Sequence, residues 1–370
     1  MTIASLSQRP GRALGAPEQK REFIANPSDP ILITGAGGFI GSRVVNRLIE
    51  LGFRNLRCFV RPSSNTSVLE AIARRSPDVN MAILKGNLQS FADCLDATAN
   101  VTLIYHLAAG AGEKSFPDAF MNSVVTTRNL LEATLVSGCL KRFVNVSSFA
   151  VYTNQRKLHW RQLDEESPME SHPEQRGDAY CFAKVKQDAM VLEYSRQRGV
   201  PYVIVRPGYV IGPGKTKISG RVGIDSFGVF LHLGGQNRIP FVYVDNCADA
   251  VVLAGMMPGV NGEVFNIVDD DLPTSRQFLR LYKKKVRRFH SFYIPHIISY
   301  FLCYLWESYS RWSEGQLPPV FNRKEWHSAW KKTSYSNEKI KMRLGWRPRV
   351  PMEEALDRYF KGCCQRRESA

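Results

Sequence analysis

Short apolar runs alternate with longer stretches that are apolar on one side only. Ile31-Leu32-Ile33-Thr34 is the first such run, and a helical pattern from Gly38 to Leu51 follows it. Leu56 to Val60, Met81 to Leu84, Val101 to His106, Arg142 to Val146 and Tyr202 to Val205 read as further strands. Helical stretches lie between them, the clearest being Phe120 to Ser137 and Ala179 to Arg198. Continuous apolar strands separated by amphipathic helices predict a parallel sheet covered on both faces, because each parallel connection needs a crossover helix. The expected fold class is therefore α/β, a Rossmann doubly wound sheet, with ligands at the carboxyl ends of the strands.

After Pro207 the alternation breaks down. Pro213-Gly214-Lys215 opens an irregular stretch, and Phe241 to Val244 reads as a strand returning to the sheet. Beyond Pro273 the chain is helical, basic and aromatic. These changes suggest residues 29–205 and 241–268 as the domain built on the parallel sheet and 206–240 with 269–362 as a smaller substrate lobe. Residues 1–28 have no apolar period and read as a disordered arm, and 363–370 as a tail.

Composition is that of a globular chain, 44% hydrophobic and 23% charged. The formal charge of +16 is concentrated late, with 21 Lys/Arg against 8 Asp/Glu from Arg276 to Ala370. Such an excess is either a solvated basic face or an attraction for anionic ligands or membranes. No nucleic-acid-binding motif accompanies it, so nucleic acid is not an expected partner. Eight cysteines without paired spacing fit a reducing compartment, and no metal site is expected. No run reaches the ~20 apolar residues of a membrane span. The apolar stretch Phe292 to Trp306 reads as a buried helix of the second lobe. The other option is peripheral membrane contact through 283–306, where basic and aromatic residues adjoin.

Chemistry enters at Thr34-Gly35-Ala36-Gly37-Gly38-Phe39-Ile40-Gly41, between the first strand and first helix. Side chains there would keep the backbone away from a pyrophosphate, and the helix start offers free N–H groups to hold it. Tyr180 and Lys184 are four residues apart and so lie one above the other on a helix. An adjacent ammonium is expected to lower the tyrosine pKa from ~10 toward the working range of an acid–base catalyst.

The three-residue glycine spacing resembles the extended short-chain dehydrogenase/reductases, including the NAD-dependent epimerase/dehydratase family. His106-Leu107-Ala108-Ala109, Asn122, Val146-Ser147-Ser148 with Val151-Tyr152, Tyr180-Cys181-Phe182-Ala183-Lys184, Arg206-Pro207 through Gly212-Pro213, Val244-Asp245 and Leu344 to Pro348 continue the resemblance, which covers about Ile31 to Phe360. It implies Tyr180, Lys184, Ser148 and Asn122 as the catalytic set, with Lys184 also holding the nicotinamide ribose. Gly35, Gly38, Phe39, Ile40, Gly41, Asn87, Leu88, Leu107, Ala108, Ala109 and Pro207 are the implied cofactor contacts, together with Arg61, Tyr180 and Lys184. Arg61 stands where NAD-preferring relatives carry an acid, so the cofactor is NAD(P), leaning to NADP.

Substrate signals diverge. Tyr209 occupies a position where nucleotide-sugar enzymes carry Asn, which resembles instead the hydroxysteroid dehydrogenase and dihydroflavonol reductase branch. Arg238, seven residues before Asp245, has the spacing of an arginine that grips substrate phosphates, and Ser148 would orient the reacting oxygen. The expected activity is hydride transfer at a secondary alcohol or ketone of a nucleotide-linked sugar. The alternatives are a reductase of a hydrophobic ketone or alcohol, and a non-catalytic dinucleotide sensor. Dehydration ranks last, because Phe149 follows Ser148 where dehydratases tend to carry an acidic pair. A homodimer, paired through Phe120 to Ser137 and Ala179 to Arg198, is implied by the resemblance, and the scattered cysteines point to the cytoplasm, with membrane association as the option noted above.

Overall fold

A computed structural model describes residues 22–110, 115–155, 162–226, 228–314, 316 and 321–368. Its first half runs β1 (Ile31–Thr34), α1 (Gly41–Glu50), β2 (Asn55–Val60), α2 (Ser67–Arg75), β3 (Asn80–Lys85), α3 (Phe91–Thr98), β4 (Leu103–His106), α4 (Phe116–Ala119), α5 (Thr126–Ser137), β5 (Arg142–Val146), α6 (Ala179–Arg198) and β6 (Tyr202–Pro207). There follow β7 (Tyr209–Ile211), β8 (Gly223–Ser226), β9 (Val229–His232), β10 (Phe241–Tyr243), α7 (Val244–Met256), β11 (Val264–Ile267), α8 (Ser275–Lys285), β12 (Ser291–Tyr293), α9 (His296–Trp312), α10 (Arg323–Ala329), α11 (Glu338–Leu344) and α12 (Met352–Glu368).

Seven strands form one parallel sheet in the order β11-β6-β5-β4-β1-β2-β3. Strands β1, β4 and β5 are buried at every position, as strands covered on both faces must be. The chain leaves β1 for β2 on one side and returns as β4 on the other. That reversal opens a crevice at the carboxyl ends of β1 and β4, where both the glycine turn and His106-Leu107 begin. On one face α1 packs against α7, and the buried Arg47–Asp249 pair at 2.6 Å ties the two helices.

Four expectations need correction. Phe241–Tyr243 does not return to the main sheet but pairs in parallel with β7, in register Phe241 with Tyr209. The seventh main-sheet strand is Val264–Ile267, beside β6. Residues 22–28 of the expected arm are docked: Ala25 is buried, Phe23 meets Phe53 at 5.9 Å, and Ile24 N–H donates to Met256 O. Residues 1–21 lie outside the described residues. The expected tail is the last part of α12 up to Glu368, with Cys363 buried one turn after Tyr359 and Phe360.

The fourth concerns Phe292 to Trp306. It contributes β12 and most of α9, but much of its apolar surface faces outward rather than into a core. No helix among the described residues is long and apolar enough to cross a membrane.

Candidate active site

The glycine turn is shaped by close packing. Gly35 has φ +69°, and a Cβ there would come within 3.0 Å of the Ala108 nitrogen. A Cβ on Gly41 would lie 2.1 Å from Gly35 O, so the first turn of α1 can descend onto the loop only as glycine. Helix α1 begins at Gly41 with no side-chain cap and no acid in its first turn. Among the described residues the N–H groups of Phe39 and Ile40 have no backbone or side-chain acceptor. An uncapped helix start of this kind is an anion cradle.

Two cavities meet over the turn, with Gly35, Gly38, Leu107 and Ala109 lining both. The first, of about 540 Å³, is bounded by Arg61, Ser64, Asn65, Asn87, Leu88, Ala108 and Asn122. The second, of about 460 Å³, holds Phe39, Ile40, Gly41, Ser148, Tyr180, Lys184, Pro207, Tyr209 and Lys215. A bare-backbone anion cradle with a cavity on each side fits a dinucleotide, its pyrophosphate over the turn. Arg61 is exposed at the end of β2, and its side chain engages no carboxylate among the described residues.

Not every expected residue shares one cavity. Asn122 lies with Asn87 in the first, on a π-helical turn (Phe120–Val125) that joins α4 to α5, and its side-chain oxygen accepts from Gln89 Nε2 at 3.2 Å. It does not line the Tyr180 cavity. Arg238 lines neither. Its guanidinium donates to Leu272 O at 3.0 Å, in a separate depression beside Asp269, Asp270 and Asp271. The bridge between Arg238 and Thr274 fixes the backbone there and directs the side chain to that side.

Tyr180 is the second residue of α6, which is capped by Asp178, whose carboxylate accepts the Tyr180 N–H at 3.0 Å. Ser148 ends the loop after β5, and its hydroxyl accepts Ala150 N–H at 3.1 Å and lines the same cavity as the Tyr180 phenol. Ser147 is buried instead. Lys184, one turn along α6, is buried and donates to Val146 O at 2.7 Å and to Gln187 Oε1 at 2.8 Å.

The electrostatics differ from the sequence expectation. Burial raises the Tyr180 pKa, and the Ser148 hydrogen bond is what works against it. The same desolvation pushes Lys184 down to about 8, with Asp188 opposing. The ammonium therefore does not make this phenol unusually acidic. Packing around the pair penalises charge on both members more than their proximity rewards it.

Behind Lys184 runs a buried polar chain that the sequence reading missed. Gln187 Nε2 donates to Thr127 Oγ1 at 2.7 Å, and Thr127 donates to Ser123 O at 2.6 Å. His106 Nε2 lies 2.9 Å from the same hydroxyl, and His106 Nδ1 lies 2.8 Å from Thr34 Oγ1. Because the Thr127 proton goes to Ser123, His106 must donate through Nε2 and accept from Thr34 through Nδ1. Burial and nearby Lys184 hold its pKa at about 3, which keeps the ring neutral. Thr34 is the last residue of β1, so one continuous network joins the glycine turn to Lys184. Below it the buried Asp188 accepts from Arg206 at 3.1 Å and Asn145 at 2.9 Å.

Lys215 was also missed. Its ammonium lies 5.3 Å from the ring centroids of both Phe39 and Tyr209, at the wall of the second cavity. Only its place in the irregular Gly212–Lys215 stretch hinted at it.

The model of the NAD dependent epimerase/dehydratase family matches residues 31–267. The chain belongs to that family. A trifunctional UDP-glucose 4,6-dehydratase/UDP-4-keto-6-deoxy-D-glucose 3,5-epimerase/UDP-4-keto-L-rhamnose-reductase of Arabidopsis thaliana is 28% identical over 252 residues, covering 64% of this chain and 36% of that relative. The chain thus spans little more than a third of the length of that protein. GDP-mannose 3,5-epimerase 1 of Oryza sativa subsp. indica is 25% identical over 267 residues, covering 66% of this chain and 67% of the epimerase. Among solved structures, the UDP-glucuronic acid 4-epimerase of Bacillus cereus, crystallised with UDP-glucuronic acid and NAD, has a TM-score of 0.68 at 19% identity. It covers 91% of this chain and 99% of its own, which shows the shared fold.

Proposed function

We propose that this family member is an NAD(P)-dependent oxidoreductase or epimerase working at a secondary alcohol or ketone of a nucleotide-linked sugar. The observation that carries it is the shared cavity, where Ser148, Tyr180 and Lys184 stand with Lys215 beside the uncapped start of α1. A bound nicotinamide dinucleotide would supply or receive the hydride. Its pyrophosphate would rest on the Phe39 and Ile40 N–H groups. Tyr180 exchanges a proton with the substrate oxygen, Ser148 orients that oxygen, and Lys184 offers its remaining N–H to the nicotinamide ribose. Lys215, with no acid beside it in the cavity lining, suits an anionic substrate such as a diphosphate. We assign it the role first expected of Arg238.

Arg61, with Ser64 and Asn65 beside it, favours NADP over NAD. Residues 206–240 and 269–362, apart from Arg206 and Pro207 at the end of β6, would form the substrate lobe. Exposed Phe120, Met121 and Leu192 on the π-helical turn and α6 support a homodimer through these helices, and eight free cysteines suit a reducing compartment such as the cytoplasm. Dehydration is disfavoured because Phe149 is buried and stacks on Tyr335 at 5.6 Å, leaving no acid beside Ser148.

A hydrophobic ketone is the second reading, favoured by Tyr209 and Phe39 facing the cavity. Offering UDP-, GDP- and dTDP-sugars and aromatic ketones, while following both sugar configuration and NADPH absorbance, separates the two. Epimerisation without net cofactor change, or turnover of a sugar nucleotide, supports the first. Stoichiometric NADPH loss with ketones alone would replace it with the second, and dinucleotide binding without turnover of anything would make the chain a sensor. Lys215→Met should raise KM for a sugar nucleotide about tenfold or more, as expected for losing a charge-assisted contact, with smaller change in kcat.

A further inference from the structure

Helix α9 wears its amphipathicity inside out. Ser299, Cys303 and Ser310 face the protein, and Ser299 Oγ accepts the Trp326 indole N–H at 2.9 Å. Ile297, Phe301, Leu302, Leu305, Tyr309 and Trp312 are outside, exposed by 85%, 55%, 50%, 45%, 48% and 78%. At roughly 100° per residue these six fall within an arc of about 140°, one continuous apolar stripe along the helix. Phe292, 63% exposed on β12, extends the stripe at its N-terminal end. Scattered apolar side chains on a surface need no explanation, but an aligned patch of this size does.

The charge next to the stripe is one-sided. From Leu272 to Trp306 the chain has seven Lys/Arg and no Asp/Glu. Lys284, Lys285, Arg287 and Arg288 are exposed. The two features are physically joined through β12: Lys283 Nζ donates to Ser291 Oγ at 2.6 Å, and the Arg276 guanidinium lies 5.2 Å from the Tyr293 ring. Among the described residues only Lys285 of these basic side chains has a carboxylate partner, Asp357 of α12.

We propose that this face docks on an anionic phospholipid bilayer, with α9 lying in the plane of the interface and the basic residues of α8 and its following loop on lipid headgroups. Insertion of the stripe to the headgroup–acyl boundary would cover the aromatic and aliphatic side chains, while the cations gain lipid phosphates and carboxylates. A second copy of this chain fits less well, because a symmetric contact would bring two uncompensated basic clusters together. Seventeen residues in α9 are too few for an upright span and ample for a helix lying flat.

The test is flotation of the full chain with phosphatidylcholine–phosphatidylserine vesicles and with pure phosphatidylcholine vesicles, at low and high salt. The expected result is binding to the anionic vesicles, weakened by salt and weak on the neutral ones. Lys284→Glu/Arg287→Glu/Arg288→Glu should lower partitioning by at least about 100-fold, from roughly fivefold per basic residue near an anionic surface. Ile297→Ser/Phe301→Ser/Trp312→Ser should abolish flotation while leaving Tm and dinucleotide affinity as in the wild type, since all three side chains are outside. Absence of flotation on anionic vesicles at low salt would overturn the proposal. So would serine variants that still float, which would reduce the attraction to charge alone. If instead the serine variants convert an oligomer to monomer and the wild type does not float, the stripe is a contact between copies.

Discussion

Thr127→Val deletes a hydroxyl and keeps the shape of the side chain, which isolates the network behind Lys184. In the wild-type chain that oxygen receives hydrogen from His106 Nε2 at 2.9 Å and Gln187 Nε2 at 2.7 Å, all within a buried cluster. Valine leaves both donors without an acceptor, at about 1–3 kcal/mol each. The methyl that replaces the hydroxyl returns only about 0.8 kcal/mol. The expected net loss is therefore about 1–5 kcal/mol, a large part of the ~5–15 kcal/mol that folded proteins have. A functional loss should accompany it. Gln187 turned by Thr127 is what presents Oε1 to Lys184, and without it the lysine keeps Val146 O alone. Urea unfolding followed by tryptophan fluorescence gives the first quantity from the midpoint and slope, and single-turnover hydride transfer gives the second. Thr127→Ser, which keeps the hydroxyl, should recover most of both. A valine variant as stable as the wild type to within about 0.5 kcal/mol would show that these donors are not held by Thr127, and the network argument would fail.

Tyr180→Phe should lower turnover at least ~10²-fold with dinucleotide affinity retained, measured by steady-state kinetics and fluorescence titration. Arg61→Ala should weaken NADPH about 10-fold or more and leave NADH within about twofold, because only the former brings a phosphate to the guanidinium. Asp269 is buried, and its carboxyl is pushed up to about 7 although it accepts Tyr243 N–H and Asn246 Nδ2. A raised folded pKa means the native state holds the proton longer, so stability is lost as pH rises from about 4 toward 7. Asp269→Asn should therefore gain on the wild type by about 2 kcal/mol between pH 5 and 7 in urea melts at each pH. Reductive kcat/KM should fall as pH rises through about 8, where Lys184 loses its proton, and Lys184→Met should remove that limb.

Most of the sheet was legible because strands buried on both faces leave an unbroken apolar run, and every run before residue 206 became a strand of it. The signal failed where pairing depends on partners distant in sequence. Phe241–Tyr243 is as apolar as Val264–Ile267, and nothing local tells which of them reaches β6. Spacing placed Tyr180 and Lys184 on one helix face and the glycines at one turn. Spacing also suggested Arg238 and missed Lys215, because the direction of a side chain after an irregular segment is set by the tertiary path. Buried polarity misled in the same way. Thr127 and Gln187 look like ordinary helix residues until α5 and α6 are packed against β4, and the pKa of Tyr180 cannot be read from its neighbour without knowing how the fold packs around it.

The direction of those two pKa shifts bears on what the site does best. A phenol held above its ordinary value is protonated at neutral pH, the form that can give a proton to a ketone oxygen as it accepts hydride. Alcohol oxidation needs the opposite start, a phenolate, whose formation burial opposes and only Ser148 favours. An epimerase must run both half-reactions at one pH and would need the substrate or dinucleotide to add positive potential near Tyr180 on binding. A net reductase needs no such help. On these grounds the reductive half-reaction is the one the protein's own packing prepares, and oxidation is the half in which bound ligands must supply the difference.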